Sequence, residues 1–263
     1  MDRVELSKKK IKEISGEAGF SAIEPENDYS MALQDDPDLY GIATRFIFGE
    51  IYYRDQLNEK QRELITLVVL TTTQNLPHLK MHVAVALNIG LTPIEVKEAV
   101  YQCAPYVGFP KTFEAINQVN KVLKKKKISL PLESQQQVPE NNRYDMGLKT
   151  QTSLFGDAID KMYGSTPGNQ KHINNYLSAY CFGDFYTRGG LDLKTRELLT
   201  LCILAALGGC ENQLKGHVRA NFGAGNSKEV IIAAVTQCLP YIGFPRTLNA
   251  LSCVNEIIPE NTV

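Results

Sequence analysis

Two histidines in this chain of 263 residues stand in similar surroundings, and histidine is the side chain best suited to proton transfer near neutral pH. His82 follows Glu63 by 19 residues. His217 follows Glu197 by 20 residues. A carboxylate beside an imidazole can orient and polarise the ring, so each pair is a candidate centre for acid–base catalysis. The alternative for each pair is a buried histidine with a purely structural role.

A second kind of chemistry would depend on Cys210. This residue stands at a predicted turn into a helix, where the helix N-terminus would lower the pKa of the thiol and increase its reactivity. A thiol peroxidase also needs a resolving thiol that forms a disulfide after the first one is oxidised. Cys202, eight residues earlier, could serve only if the fold brings it close to Cys210.

A metal site is a minor alternative in the first half of the chain. His78 and His82 are four residues apart, so they share a helical face, and Glu63 could complete the ligand set. The second half has Gln213 in the place of His78. We therefore predict no metal centre.

The two histidines belong to two copies of one sequence. QCAPYVGFPKTFEA at 102–115 and QCLPYIGFPRTLNA at 237–250 are identical at nine of fourteen positions. RELITLVVL at 62–70 and RELLTLCIL at 196–204 agree at six of nine. The copies are 134 residues apart in the earlier block and 135 in the later one, so we expect one extra residue within GGCENQLKGH. The pattern indicates an internal duplication.

Both copies have the sequence pattern of helices. The apolar residues of RELITLVVL recur at helical spacing on several faces, which is typical of a buried helix. Thr92 and Ser227 are predicted helix caps at equivalent positions. We expect the helices that follow to break before Pro105 and at Pro240, and a last helix of the first copy at about 111–123. Strand signals are nearly absent, so the predicted fold class is all-α.

The predicted organisation is an N-terminal extension at 1–26, a first repeat at 27–123, a linker at 124–140 and a second repeat at 141–258. The linker is rich in Lys, Pro and Gln and has little to bury. The net charge of −1 argues against nucleic-acid binding. No apolar run is long enough to span a membrane, and the start of the chain lacks a signal-peptide pattern, so we expect a cytoplasmic protein.

The second half, from RYDMGL through GDFYTR, TRELLTL and HVRA to GFPRTLNAL, resembles gamma-carboxymuconolactone decarboxylase. The first half resembles the same family from about Asn27 onward. This resemblance implies two tandem helical units and an enzyme that removes carbon dioxide from a small carboxylated lactone or related acid without a metal or cofactor. It also implies self-association, in which three two-unit chains imitate a ring of six units.

The same resemblance suggests roles for individual residues. His217 or His82 would donate a proton, with Glu197 or Glu63 beside it. Arginine matches a carboxylate with two parallel hydrogen bonds, which suits substrate binding. The residues implied for substrate binding are Arg54, Arg188, Arg219, Glu50 and Asp184.

Two alternative functions remain open at this point. The wider superfamily includes thiol peroxidases of the alkylhydroperoxidase D type, which use two cysteines with a glutamate and a histidine. Cys210 occupies the first thiol position and Gln213 the second, so peroxiredoxin activity would depend on Cys210. The other alternative is a non-catalytic small-molecule-binding protein in which one repeat has become a scaffold.

Overall fold

A computed structural model of the chain describes residues 1–16, 19–20 and 34–260. Throughout this part of the chain the regular structure is helical, and no strand occurs in it. The predicted all-α class is therefore confirmed. The boundary that we predicted between residues 26 and 27 lies outside the described residues.

The helices form two successive sets. The first set is α1 (Arg3–Ser15), α2 (Pro37–Gly49), α3 (Glu59–Thr73), α4 (Leu76–Asn88), α5 (Pro93–Gln102), α6 (Ala104–Val107) and α7 (Phe109–Lys125). The second set is α8 (Arg143–Phe155), α9 (Ala158–Ser165), α10 (Lys171–Tyr176), a π-helix (Leu177–Tyr186), α11 (Leu193–Leu207), α12 (Glu211–Gly223) and α13 (Lys228–Ile257). Short 3₁₀ turns lie at Ile51–Tyr53, Glu140–Asn142 and Gly168–Gln170.

The equivalent helices α3 and α11 pack against each other at the centre of the molecule. Both are buried along almost their whole length, as the apolar residues on several faces predicted. Ile65 and Leu67 from α3 belong to the same apolar cluster as Leu199 and Ile203 from α11. The two units therefore share one hydrophobic core.

The N-terminal helix α1 has a counterpart in the second unit. It packs against α2, as α8 packs against the π-helix. Each contact carries an ion pair at the same place: Arg3 to Glu50 at 2.7 Å, and Arg143 to Asp184 at 2.5 Å. Within the segment that we predicted as an extension, α1 thus completes the first unit.

The extra residue of the second copy lies in a turn, as predicted. Residues 74–75 connect α3 to α4, whereas residues 208–210 connect α11 to α12. Gly208 and Gly209 both have positive φ angles, of 68° and 69°, which glycine adopts without the steric cost of a Cβ atom. The insertion therefore leaves the helices on either side in equivalent positions.

The repeated GFP string breaks the chain before the last helix of each unit. Gly108 has φ 84° and Gly243 has φ 75°, a conformation that a helix cannot contain. The first copy breaks at Cys103, before Pro105, as predicted. The predicted break at Pro240 is wrong. Because the proline ring holds φ near the helical value, α13 continues through Pro240 and changes direction at Gly243 instead.

The predicted caps are confirmed. The Thr92 side chain accepts from the Glu95 backbone N–H and the Glu95 carboxylate accepts from the Thr92 N–H. The Ser227 hydroxyl accepts from the Val230 N–H. Helix α7 extends two residues beyond each end of the predicted range of 111–123.

The segment between the units is less solvated than its composition predicted. Leu130 and Leu132 pack partly against the shared core, and Val138 is buried. The Gly189 N–H donates to the Gln135 carbonyl at 2.9 Å, which fixes this segment to the second unit. None of the described helices is both long and apolar enough to cross a membrane.

Candidate active site

Each unit contains a buried glutamate–histidine pair on two adjacent helices. Glu63 on α3 contacts His82 on α4, with 2.8 Å between Oε2 and Nδ1. Glu197 on α11 contacts His217 on α12 at the same distance, because the longer turn absorbs the extra residue. Since a carboxylate only accepts, Nδ1 carries the hydrogen in each pair. The ring nitrogen left for a ligand is therefore Nε2.

The two histidines differ in access. The His82 side chain is completely buried, and its Nε2 has no hydrogen-bond partner in the described part of the chain. The His217 side chain is 11% exposed and lines a cavity of about 390 Å³. A cavity of this size is typical of sites for small molecules. In the part of the chain that the structure describes, the second pair is the one that combines an imidazole with a space for a small substrate.

The cavity beside His217 has mostly apolar walls and a few polar groups. Helices α8 and α9, the π-helix and α12 supply most of the wall. Its apolar side chains include Phe155, Ile159, Met162, Leu177 and Phe182. The polar side chains besides His217 are Tyr106, Gln151, Cys181 and Gln213. Tyr106 belongs to α6 of the first unit, so both units form this site.

Tyr106 is the end of a chain of hydroxyl groups. Its Oη lies 3.1 Å from Tyr186 Oη, which lies 2.7 Å from Thr200 Oγ1. The Gln102 amide donates to Thr200 Oγ1 at 3.2 Å, and Arg196 donates to the Gln102 carbonyl oxygen, which fixes the orientation of this amide. If each hydroxyl in turn donates to the next, the Tyr106 proton is left for a ligand in the cavity.

Tyr106 and Tyr186, the two tyrosines in this chain of hydroxyl groups, keep their protons at physiological pH. Burial of their hydroxyl groups raises the pKa of Tyr106 and the pKa of Tyr186 well above the ordinary value, and nearby Glu197 acts in the same direction. A tyrosine that stays protonated can act as a hydrogen-bond donor to an oxyanion.

In the first unit, larger side chains fill the equivalent space. Met81 stands where the second unit has Gly216, and Ile47 stands where it has Cys181. Both belong to a buried apolar cluster with Phe20 and Phe48. No side chain at Gly216 occupies the corresponding volume, and Phe155 lies 4.0 Å from where a Cβ would be. The first unit therefore has a filled pocket.

The glutamates also differ in their second partner. Tyr52 donates to Glu63 Oε1 at 2.5 Å, so both oxygens of Glu63 are engaged. Tyr186 is the counterpart of Tyr52, but its hydroxyl contacts Tyr106 and Thr200 instead. Among the described residues, the buried Oε1 of Glu197 has no hydrogen-bond partner.

The residues predicted to bind substrate lie away from His217. Arg188 pairs with Glu98 through Nε and Nη2, at 2.8 to 3.0 Å, so a protein carboxylate holds the place expected for a substrate. Arg54 is exposed at a separate cleft, and Arg219 is exposed on α12. Asp184 and Glu50 form the ion pairs that fasten α8 and α1. None of these five residues lines the cavity beside His217.

The predicted reactivity of Cys210 is also not what the structure indicates. Cys210 precedes α12, and its thiol donates to the Leu204 carbonyl at 3.3 Å. Burial raises the pKa of Cys210, and neighbouring Glu211 and Cys253 raise it further. The pKa of Cys210 is therefore raised rather than lowered as expected, because burial and these two neighbours outweigh the effect of the helix N-terminus.

Cys202 is not positioned as a resolving thiol for Cys210. It is completely buried in the shared core, where its neighbouring thiol is Cys238. Burial raises the pKa of Cys202 well above its ordinary value. Cys202 is therefore not available as the second thiol of the peroxidase alternative, and the thiol near Cys210 is that of Cys253.

The described residues contain no group of three or more His, Cys, Asp or Glu side chains placed to hold a metal ion. His78 contacts Asn75 at 3.2 Å, whereas His82 faces Glu63. The two histidines of the minor metal alternative thus have different neighbours.

Several residues of the cavity were not identified from the sequence. Tyr106 lies within the repeated PYVGFP string, whose recurrence indicates the duplication but predicts no site. A comparison of the two copies at Gly216 and Met81 could have indicated which unit has an open pocket. Gln151 and Phe155 lie on α8, where the sequence carries no recognisable signal for a site.

Two helical units with a glutamate–histidine pair at a mostly apolar cavity define a small-molecule site suited to acid–base chemistry. The chain matches the model of the Carboxymuconolactone decarboxylase family over residues 37–121 and again over residues 172–256. It belongs to this family, with two family units in tandem, and it is an enzyme of this family.

Two relatives support this assignment. The chain is 28% identical over 122 residues to 4-carboxymuconolactone decarboxylase of Acinetobacter baylyi, which is 46% of this chain and 90% of that protein. It is 33% identical over 82 residues to nitrosuccinic acid decarboxylase npaB of Metarhizium robertsii, 31% of this chain and 57% of that protein. The Acinetobacter protein thus corresponds in length to a single unit of this chain.

Proposed function

We propose that the protein is a decarboxylase of small organic acids and that its active site is the cavity beside His217. The observation that carries this proposal is the difference in access between two otherwise equivalent histidines. His217 reaches a cavity of about 390 Å³, whereas His82 is buried behind Met81 and Ile47. Two relatives named as decarboxylases support the reaction type.

The proposed step breaks the bond between the substrate carboxylate and the neighbouring carbon. Carbon dioxide leaves, and the bonding electron pair passes into an adjacent carbonyl or similar group, which becomes an oxyanion. The Tyr106 hydroxyl donates a hydrogen bond to this oxyanion. The imidazolium form of His217, which carries a hydrogen on both ring nitrogens, then gives its Nε2 proton to the carbon, and the neutral imidazole regains one from water. These steps use side chains alone, so we propose that no cofactor takes part.

The walls of the cavity fit this change in charge. Charge is concentrated on the carboxylate at the start and spread over a larger group at the transition state. Apolar surroundings solvate the concentrated charge less well than water does, which favours its dispersal. Glu197 has the role of a positioning residue, because it holds Nδ1 and leaves Nε2 directed to the substrate.

The charges of the cavity also suggest a substrate class. Among the described residues that line it, none is Lys, Arg, Asp or Glu. A substrate with two carboxylates could place only one of them against His217. The other would lie in an apolar cavity without a cationic partner, which is costly. We therefore propose a small acid with one carboxylate, an electron-accepting group beside the leaving carboxylate, and an apolar body.

A paired substitution tests this function. His217→Gln and His82→Gln remove the imidazole from equivalent positions of the two units. We expect His217→Gln to lower kcat by about 10²- to 10⁴-fold, the usual contribution of a general acid. His82→Gln should retain most of the turnover, because its pair has no access to substrate. Release of carbon dioxide would be measured with β-keto monocarboxylic acids, and with 4-carboxymuconolactone and nitrosuccinic acid, whose second carboxylate should make them poorer substrates.

Circular dichroism of both variants controls for the fold. Equal losses of turnover in two folded variants would contradict the assignment to the second unit. Unchanged turnover in His217→Gln would exclude this histidine as the proton donor. Since the substrate is selected on the wild-type chain, failure of every acid in the series would reject the proposed substrate class.

A further inference from the structure

The duplication gives each unit two arginines at matched positions, and in the second unit these two arginines bind a carboxylate. Arg188 donates to Glu98 through Nε and Nη2. Arg196 donates to the other oxygen of Glu98 at 3.0 Å. Glu98 belongs to α5 of the first unit and is only 2% exposed. The arrangement is a buried carboxylate held by two guanidinium groups from the other unit.

The first unit has the same two arginines without the carboxylate. Arg54 and Arg62 are the counterparts of Arg188 and Arg196, and Ala233 stands in the place of Glu98. Arg62 is 2% exposed and donates to Gln237 and to the carbonyl groups of Ile51 and Arg54. Within the described part of the chain, neither arginine forms an ion pair with a carboxylate.

A cleft lies where the missing carboxylate would be. It has a volume of about 500 Å³, and Arg54 and Ala233 line it together. Tyr53 and Ile232 provide the apolar part of its wall. In the second unit Tyr101 packs against the Arg188 guanidinium, but its counterpart at this cleft is the smaller Thr236. The cleft is therefore larger than the equivalent place in the second unit, because Ala233 and Thr236 are smaller than Glu98 and Tyr101.

We propose that this cleft binds a small organic anion whose carboxylate takes the place that the Glu98 carboxylate has in the second unit. Arginine binds a carboxylate well because its planar donors match the two oxygens. Arg54 lines the cleft and would supply the direct contact to the anion, whereas Arg62 is buried and does not line it. The cleft shares no lining residue with the cavity beside His217, so this site goes beyond the proposed function.

The other side chains of the cleft select the ligand further. Tyr53, Ile232 and Ala233 favour a short aliphatic or aromatic body next to the carboxylate. Asp55 and Glu229 also line the cleft and repel any anion, so a single carboxylate on Arg54 is the most negative charge that the cleft can hold. The ligand class is therefore a monocarboxylate rather than a dicarboxylate or a phosphate.

Isothermal titration calorimetry of the full chain with benzoate at low salt tests the site. Benzamide serves as the uncharged control. We expect saturable binding of benzoate and none of benzamide at the same concentrations. Ala233→Glu supplies the missing carboxylate from the chain, and Arg54→Gln removes an exposed cation. Either change should raise the Kd by about tenfold or more, since each removes a charge-assisted interaction.

Two further variants locate the binding. Ala233→Ser changes the same position but leaves the space open, so it should bind benzoate like the wild type. Gly216→Met fills the other cavity and should also leave this binding intact. Equal affinity in Arg54→Gln and the wild type, or equal binding of benzamide, would overturn the proposal. Loss of benzoate binding in Gly216→Met alone would assign the ligand to the cavity beside His217 and also overturn it.

Discussion

At the scale of single residues, the two glutamate–histidine pairs show that a hydrogen bond does not define a catalytic group. Both pairs have the same atoms at the same distance of 2.8 Å. They differ in what lies beyond Nε2, which is buried protein for His82 and a cavity for His217. The neighbours of each imidazole, rather than its carboxylate partner, decide which pair can meet a substrate.

Cys210 gives a prediction at the same scale. Because burial and its neighbours raise the pKa of this thiol, less of it is thiolate at neutral pH than for an ordinary cysteine. Since the thiolate is the reactive form, Cys210 should react no faster than free cysteine with an organic hydroperoxide at pH 7. Mass spectrometry after a brief exposure would measure this, with the other five cysteines as internal controls.

Selective oxidation of Cys210 within seconds, reversed by a thiol reductant, would contradict this prediction and restore the peroxidase alternative. A rate that increases steeply above pH 9 would agree with the raised pKa. Both results can be obtained from one sample series, because each cysteine lies in a separate sequence context.

Gly216 gives a second prediction, which depends on one missing side chain. Gly216→Met introduces the residue that fills the equivalent space in the first unit. We expect kcat/KM to fall by about 10²-fold or more, because a side chain in the cavity displaces the substrate from its reacting position. The measurement is steady-state carbon dioxide release, with thermal unfolding to show that the variant is folded.

Gly216→Ala is the matched control, because its added methyl group lies 4.0 Å from Phe155 and leaves most of the cavity open. Activity in Gly216→Met equal to that of Gly216→Ala would show that the reaction takes place elsewhere in the chain.

At the scale of helices, the short helix α6 connects the two units functionally. It carries Tyr106 from the first unit into the cavity of the second, where the ring centroids of Tyr106 and His217 are 6.2 Å apart. The equivalent Tyr241 of the second unit faces His82, with ring centroids 5.9 Å apart. Each histidine thus has a tyrosine from the other unit.

Tyr106→Phe tests the role of this helix. Removal of the hydroxyl removes the proposed donor to the oxyanion but keeps the ring and the shape of the cavity. We expect kcat to fall by about 10- to 10³-fold with little change in KM, because the interaction develops at the transition state. Tyr241→Phe is the matched control in the first unit and should leave kcat unchanged. A fall in kcat of the same size in both variants would indicate a structural role for the hydroxyls.

The sequence predicted the helices better than it predicted the site. Helix caps, the buried helices and the position of the inserted residue depend on local pattern, and the duplication doubled the evidence for each. The glutamate–histidine pairs followed from spacing along two adjacent helices. Spacing did not predict Glu98 as the partner of Arg188, because the two residues are 90 positions apart and meet only across the two units. The cavity depends in the same way on packing between distant segments.

The break in α13 is a smaller case of the same limit. Proline was the stronger sequence signal. A proline inside a helix removes a hydrogen bond and crowds the carbonyl four residues earlier, but the surrounding packing can outweigh this cost. The glycine three residues later decided the geometry because it alone adopts the required φ without strain.

At the scale of the whole molecule, exposed apolar residues recur at matched positions. Phe109 and Phe113 in α7 correspond to Phe244 and Leu248 in α13, and all four are between 48% and 62% exposed. Leu39 and Ile42 in α2 correspond in the same way to two exposed residues of α10, Ile173 and Tyr176. Exposed apolar groups of this kind commonly mark protein–protein contacts.

We propose that these matched surfaces join copies of the chain. A surface repeated twice in one chain can form equivalent contacts at both units, and a closed ring of three chains would use each contact once per unit. Within the chain, the Phe109 ring already contacts Tyr180 of the second unit at a centroid distance of 5.5 Å. Phe244 and Leu248 are thus the better candidates for a contact between chains.

Light scattering during gel filtration would test this assembly. The wild-type chain should have three times its mass of 29.3 kDa, and the double variant Phe244→Asp with Leu248→Asp should have the mass of one chain, because buried carboxylates would oppose the contact. Asn249→Asp is a control for added charge on the same helix. Because the cavity is formed within one chain, the dissociated variant should retain carbon dioxide release. A wild-type mass of 29.3 kDa at micromolar concentration would contradict the assembly, and loss of activity on dissociation would instead mean that a neighbouring chain completes the site.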